Sequence, residues 1–566
     1  MRNDNKLARF FPFLAWFPLK RETFRADVVA GITVALVAIP QSLAYAQLAG
    51  VPPYYGLYAA FIPTIVGALF GSSGVLSTGP VAMTSLLTFA SVSLLAPRGT
   101  EQFISYVILL ALLSGVFQIL FGMFRLGVLL NFLSHPVLMG FINAAAIIIA
   151  LSQLPALLGI PGRQSDHLLI DVWHVLANID TMHEISLAFG LSAIVMLVAF
   201  RRFAPRLPGV LVTAAILTPV SYALGYAGLG GRVVGEIPQG LPQFSVPPFD
   251  LQASAALLPA AFVIALISFM EAMSSCKVIA IKTRSAWDEN QELIGQGLAK
   301  VAAAFCQSMP VSGSFSRSAL NLASDARSGM SSLVSALCVL LTLLFFTESL
   351  YHLPKPVLAA IIMVAVSGLV DYGSIRRSWV ARKDDGVAAV ITFLSTLAFA
   401  PNIQNGILAG IIVSLTLLLY RLMRPRVAIL GLHGDGTLRD AKLFQLPDLH
   451  PKIGAIRFDG PLYFVNVAYF EEAVLQLARE KPNLEYILIA GSGITDLDAS
   501  GVETLSAIVE RLRASGITPV FSGLKLQVVE VMQHTGLHDK IGAGNLFRTD
   551  DAALGRLKER LGARAP

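Results

Sequence analysis

Two ionisable residues stand where lipid-soluble sequence ordinarily excludes charge. Arg317 lies in "PVSGSFSRSALN" (310–321), and Glu271 lies in "FVIALISFMEAMSSCKVIA" (262–280). A charge at membrane depth is costly, and it is kept where it faces a cavity, an ion path or a partner. Arginine presents a planar fork of donors that suits oxyanions. A carboxylate held in apolar surroundings beside a bound anion favours its protonated form, so a proton could enter together with the substrate. The pair therefore points to an anion site with proton coupling. Plainer readings stand beside this one. Arg317 could snorkel to an interface while its serines and glycine allow close helix packing. Glu271 could form a structural lock with Arg317 or pair with Lys277, and Lys300 on the following span could be its counter-charge.

The elements that must position these residues can be read from two breaks in the apolar pattern. "GSSGVLSTGPVAMTS" (71–85) and "PVSGSFSRSALN" each crowd Gly, Ser and Pro into a region that is otherwise hydrophobic. If each break is an extended strand followed by a half-helix, two helix N-termini meet near the membrane centre, each with free N–H groups and about half a positive charge. Pro80 fits the first turn of one half-helix. Ser314 or Ser316 could cap the other, with Arg317 in its first turn. In the first apolar segment Pro40 should kink or unwind the helix, leaving carbonyls and Gln41 free for a cavity, or else Gln41 is satisfied between helices. Gln118, Asn143 and Gln153 read as glue between helices.

These breaks sit in a chain of 566 residues that is 55% hydrophobic and 14% charged, far from a soluble balance. Fourteen apolar segments are expected, at 27–48, 54–71, 79–95, 102–124, 136–159, 184–203, 208–229, 256–282, 290–308, 316–326, 330–349, 355–372, 385–400 and 404–423. Of these, 316–326 is too short and polar to cross alone. Basic residues collect at alternate ends, with Arg125, Arg201, Arg202, Arg206, Lys277, Lys282, Arg284, Arg376, Arg377, Arg382, Lys383, Arg421, Arg424 and Arg426 on one side. The longest opposite loop holds Asp166, Asp171, Asp180 and Glu184 against Arg163. By the positive-inside rule both termini are cytoplasmic and the protein is a multi-pass protein of the cell inner membrane. Seven segments repeated in tandem must be inverted, and paired breaks at corresponding positions mark a transport site.

The net charge of +6 is explained by these helix ends and by Arg2, Lys6, Arg9, Lys20, Arg21 and Arg25 in a retained arm, so nucleic-acid binding is not indicated. Cys276, Cys306 and Cys338 lack the spacing of a metal or disulfide set and read as packing residues. No cofactor motif and no nucleophile–base pair is visible, which points away from an enzyme. The expected organisation is an arm at 1–25, a membrane domain at 26–425, a linker and first part of the tail domain at 426–454, and the rest of that domain at 455–566.

The segment "DVVAGITVALVAIPQSLAYAQLAGVPPYYGLYAA" (27–60), with "P-x-Y-G-L-Y" at Pro53 to Tyr58, together with "LIGQGLAKVAAAF" and "SFSRSALN", resembles the SulP family of anion transporters. Gly74 departs from the basic residue that many members carry after this turn. The resemblance implies an all-α membrane domain of seven plus seven inverted segments (UraA-like), divided into a moving core and a gate that work as an elevator. It implies an anion held by Thr78, Gly79, Pro80, Val81, Ser314, Phe315, Ser316 and Arg317, with Gln41 and Tyr45 nearby. Glu at position 271 implies coupling to H⁺. Sulfate is the first expected substrate, with a C4-dicarboxylate or bicarbonate, or an anion channel or exchanger, as alternatives. A homodimer is also implied.

From Ala455 onward, "AIRFDGPLYFVNV", "YILIAGSGI" and "TPVFSGL" alternate with helical patterns, as in a small α/β module. "DLDASGVETL" (496–505) resembles the STAS domain, a cytoplasmic module that could bind a partner. The serine matching Ser500 is phosphorylated in related regulators, but Ser500 with Glu503 also spells a capping box at a helix start. "GSG" at 491–493 is too weak for a nucleotide loop.

Overall fold

The structure, a computed structural model, describes residues 11–127, 134–161, 168–204, 207–247, 250–285, 287–400 and 402–562. Expectations attached to Arg2, Lys6, Arg9, Arg163, Asp166 and Arg206 lie outside these residues. The chain forms two compact units, Met1–Ser414 and Leu415–Pro566.

In the first unit, α1 (Arg21–Leu48), α2 (Tyr54–Phe70), α3 (Ala82–Val92), α4 (Glu101–Met123), α5 (His135–Ser152), α6 (Glu184–Phe203) and α7 (Gly209–Ala223) form one repeat. The second repeat comprises α8 (Leu251–Thr283), α9 (Glu289–Phe305), α10 (Phe315–Ala323), α11 (Met330–Phe345), α12 (Lys355–Ser367), α13 (Lys383–Ala398) and α14 (Ile403–Met423), the last of which continues past Ser414. Seven described helices are long and apolar enough to cross a membrane, while α2, α3, α7 and α11 are shorter apolar helices. The half-spans α3 and α10 hold corresponding places in the two repeats, as an inverted duplication requires. Two further helices, Leu168–Ala177 and Tyr372–Ala381, occupy stretches expected to be loops.

Packing cuts across the repeats. α1 to α4 pack with α8 to α11, most closely where α9 lies on α4 and α2 and where α11 lies on α1. The remaining helices form a second group in which α13 packs on α5 and α12 on α6. With no aqueous driving force inside a bilayer, close backbone approach does much of the work. A Cβ added to Gly56 of α2 would lie 1.9 Å from the Ser42 carbonyl of α1, and one added to Gly140 of α5 would lie 2.3 Å from that of Ala389 on α13. Gln118 bridges helices by donating to the Ala265 carbonyl at 3.0 Å, and Asn143 donates to that of Asp371 at 3.1 Å. Gln153 instead donates to its neighbour Ser152 at 3.1 Å. Cys276 and Cys306 are buried and Cys338 half-buried, each as a free thiol.

The second unit is built on a six-stranded sheet of order β4-β3-β5-β6-β7-β8, where β3 is Arg426–Leu432, β4 Leu438–Asp440, β5 Ile453–Asp459, β6 Tyr486–Ala490, β7 Thr518–Ser522 and β8 Leu546–Phe547. β5 to β8 run parallel, and β3 lies antiparallel to both β4 and β5. Alternation along β6 sends Ile487 and Ile489 into one core with α15 (Val467–Glu480), α16 (Ala499–Ala514) and α17 (Leu526–His534). It sends Leu488 and Ala490 into another, covered by α18 (Asp550–Gly562). Gly493 is a packing residue, since a Cβ there would lie 2.3 Å from the Phe458 carbonyl.

The capping-box reading of Ser500 is corrected. α16 is capped by Asp498, whose Oδ1 accepts from Gly501 N at 2.8 Å, so Ser500 lies inside the first turn. A carboxylate two residues earlier reaches the orphan N–H groups better, and its other oxygen also accepts from Phe464 N at 2.8 Å. Asp498→Ala is expected to lower the tail's stability by about 1 kcal/mol, whereas Ser500→Ala should change it by less than about 0.5 kcal/mol. Urea unfolding of the two variants checks this, and a larger loss for Ser500→Ala would reverse the assignment.

Candidate functional site

The two breaks come together as one ribbon. β1 (Thr78–Gly79) pairs antiparallel with β2 (Ser312–Gly313), Thr78 opposite Gly313 and Gly79 opposite Ser312. Ser314 N continues the ladder by donating to the Ser77 carbonyl at 2.8 Å. Extended backbone at membrane depth needs all its polar groups satisfied, and side chains from three helices do this. Thr64 of α2 donates to the Thr78 carbonyl at 2.8 Å, while Ser318 and Asn321 of α10 serve Ser77 N at 2.9 Å and the Val75 carbonyl at 3.0 Å. From α9, Gln296 donates to Thr78 Oγ1 at 2.8 Å, and the fully buried Glu292 accepts from Ser72 N and Ser73 N at 2.8 and 2.9 Å.

Each strand runs directly into a half-helix. Val81 is the N-cap of α3 and offers no side-chain cap, so the first N–H groups of α3 have no intrahelical partner. Pro80 therefore stands one residue before the cap, a correction to its expected place in the first turn. There its carbonyl accepts from Arg317 Nη1 at 2.9 Å. Ser314 caps α10, accepting from Arg317 N at 3.3 Å, and Ser316 is inside the helix.

Arg317 is 1% exposed, with Nη1 held by Pro80 and Nη2 buried without a partner. Gly79 leaves room for that fork, because a Cβ there would stand 3.0 Å from Nη2. An unpaired buried donor carries a desolvation penalty unless a ligand meets it. Thr78, Gly79, Pro80, Val81, Ser314 and Arg317 are thus brought together, although the polar atoms of Thr78 are already engaged by the scaffold. Phe315 and Ser316 are exposed. α1 packs against both α10 and α3 and carries the buried Tyr45 and Gln41. The expected unwinding at Pro40 does not occur, since α1 is helical throughout. Proline withholds only one N–H, and neighbouring helices carry the segment. Gln41 Oε1 is buried without a partner, which leaves it available to a ligand's donor or a water.

Glu271 of α8 meets the ribbon at Ser312. Ser312 Oγ lies between the Ser268 carbonyl at 2.9 Å and Glu271 Oε2 at 3.2 Å. Among the described residues Glu271 makes no ion pair: Lys277 is exposed, and Lys300 donates to Gln118 Oε1 at 2.7 Å and Ser268 Oγ at 2.8 Å. A lock with Arg317 is not formed either, although Lys300 and Arg317 both act on Glu271 through their charge. Glu271 is half-buried and touches the ribbon through one hydroxyl.

Sequence reasoning missed Thr64, Glu292, Gln296 and Ser312 as the supports of the ribbon. One signal was present: Glu292 and Gln296, four apart, place two polar groups on one face of α9.

The description "Sulfate permease family" matches residues 24–392, and "STAS domain" matches 448–553. A probable sulfate transporter (4.2) of Arabidopsis thaliana is 34% identical over 564 residues, covering 96% of this chain and 83% of that protein. A probable sulfate transporter of Mycobacterium tuberculosis is 30% identical over 546 residues, with 96% of each chain covered. Among solved structures, the murine solute carrier 26 family member A9 anion transporter has a TM-score of 0.91 at 21% identity, covering 99% of this chain and 95% of that one. The transmembrane domain of a cyanobacterium bicarbonate transporter has a TM-score of 0.59 at 23% identity, covering 70% of this chain and 98% of that one.

Proposed function

Since this chain belongs to the sulfate permease family and carries a STAS domain, we propose that it is a secondary active, proton-coupled sulfate transporter of the cell inner membrane. The observation that carries this reading is the unpartnered, buried Nη2 of Arg317 between the N-terminal ends of α3 and α10. Two helix ends contribute about half a positive charge each and Arg317 a full one, roughly two in all, which suits a divalent oxyanion. Proteins named as sulfate transporters in a plant and a bacterium support sulfate as the first substrate.

In this mechanism the anion accepts from Arg317 and from the free N–H groups at the starts of both half-helices. A proton on Glu271 removes the negative charge that competes with the anion for the field of Arg317, so proton and anion bind cooperatively. The group α1–α4 with α8–α11 then carries the loaded site past the remaining helices, as an elevator. Both termini and the STAS domain lie in the cytoplasm, two chains form a homodimer, and the STAS domain meets a cytoplasmic partner, with Ser500 as a point of modification near the α16 N-terminus.

The test is uptake of labelled sulfate, fumarate and bicarbonate into proteoliposomes with and without an inward proton gradient. Sulfate uptake that rises with the gradient is expected. Uptake of fumarate or bicarbonate with sulfate ineffective as a competitor would overturn the substrate, and flux without saturation would make the protein a channel.

A further inference from the structure

We infer that the protein has a second anion-binding site, an electropositive vestibule formed by Arg98, Arg232 and Lys355, which captures small oxyanions before they reach the ribbon site. It rests on reading the chain as an anion carrier, but it concerns different residues at a different place.

Successive spans alternate in direction, so the ends of α3 and α7 and the start of α12 share one face of the membrane unit, opposite the face that carries Arg125, Arg201 and Lys282. Basic side chains are scarce on this face. Sequence places four there, Arg98, Arg163, Arg232 and Lys355. Arg163 lies outside the described residues, and the other three line a single cavity of about 810 Å³. The positive-inside rule, which accounts for the bases of the opposite face, does not account for these.

Their positions are fixed by the fold. Val233 bridges Pro354, and Lys355 N donates to the Arg232 carbonyl at 2.9 Å, so the segment bearing Arg232 is stitched to the start of α12. Arg98 donates to the Gln47 carbonyl at 3.2 Å and sits over the Phe89 ring at 5.9 Å. Lys355 begins α12, where a cation opposes the helix dipole, and it feels the like charges of Arg98 and Arg232. Three mutually repelling cations are thus held around one space, and among the described residues none of them forms an ion pair. Asp171 is the carboxylate in the described lining, so cations outnumber it three to one. Like charges gathered without matching counter-charges attract counter-ions, and low-dielectric walls focus their field.

The cavity also lies in the right place. Leu86, Phe89 and Ala90 of α3 form part of its wall, and Val81 at the other end of that short helix belongs to the ribbon site. An anion in the vestibule is therefore separated from the transport site by the length of one half-helix. A tetrahedral or planar oxyanion of one or two charges fits both the guanidinium groups and the ammonium.

The test is the triple variant Arg98→Gln, Arg232→Gln, Lys355→Gln, assayed for labelled sulfate uptake in vesicles of both orientations. From the Lys355 face at low ionic strength, KM should rise about 10-fold with the rate at saturation kept, and the difference should vanish at high salt, where surface fields are screened. Uptake from the other face should be unchanged. The conservative triple Arg98→Lys, Arg232→Lys, Lys355→Arg should restore the lower KM. Equal losses from both faces, or no change in KM or salt dependence, would overturn the proposal. Equilibrium binding of labelled sulfate separates this proposal from the transport reading. Protein with Arg317→Ala should retain weak, salt-sensitive binding that the three Gln substitutions abolish, whether or not it transports. Absence of that residual binding would also overturn it.

Discussion

Replacing Arg317 with Ala should weaken sulfate binding about 100-fold and reduce uptake to near background. The side chain is 1% exposed and spans the two repeats, with Nη1 on the Pro80 carbonyl and Nη2 buried without a partner. A hydrogen bond to a charged group contributes about 1.5–3 kcal/mol, and at roughly 1.4 kcal/mol per factor of ten this sets the expected loss. Arg317→Lys keeps the charge but cannot hold the Pro80 carbonyl and the anion with one planar fork. It should recover about a tenth of wild-type affinity. Labelled-sulfate binding to purified protein, with thermal unfolding as a control for folding, measures both. Unaltered affinity in a folded Arg317→Ala protein would remove the anion site from this ribbon.

Glu271→Gln should abolish the response to a proton gradient while leaving exchange of internal for external sulfate in place. The amide imitates a protonated carboxyl in size and charge, so it accepts from Ser312 in either condition and releases no proton. Coupling free energies between linked sites are typically about 1–3 kcal/mol, or 5- to 150-fold in affinity. Wild-type uptake should therefore rise by at least about 5-fold as the external side is acidified, and the variant's should be flat. A variant that still accumulates sulfate when an inward gradient is imposed would place proton coupling elsewhere. Lys300 gives the contrast: its hydrogen bonds are to Gln118 and Ser268 on neighbouring helices, so its loss should act first on folding.

How much of this could be read from the sequence follows from how local each signal is. Pro80 and the Ser and Gly clusters mark discontinuities through their own backbone preferences, so both half-helices are expected within a few residues of where they stand. Arg317 and Glu271 declared themselves by being charged among apolar neighbours. The supports of the ribbon did not, because Glu292 meets Ser72 across a separation of 220 residues and Thr64 meets a carbonyl rather than a partner of distinctive type. Asp27 is a further case. It is fully buried and accepts from Arg327 N at 2.7 Å, a contact 300 residues away. At Pro40 the expected unwinding is absent because the helix, buried from Pro40 to Leu48, tolerates the loss of one N–H. Ser500 misled because two residues in the same turn carry capping oxygens, and sequence alone does not say which N–H groups Asp498 will accept from. The strands β4 and β8 of the tail are short and lie at the sheet margins, where pairing rather than composition defines them.

The two-residue pairing of Thr78–Gly79 with Ser312–Gly313 has an implication for how such a chain could have arisen. Each strand has its partner only in the opposite repeat, and Arg317 of the second repeat grips a carbonyl of the first. A single seven-helix copy would therefore carry an unpaired strand edge at membrane depth and half of the proposed anion site. A chain made of one such copy would need a second, inverted copy to close that seam. In the joined chain the few hydrogen bonds that close this seam also hold in place the residues proposed to bind the anion.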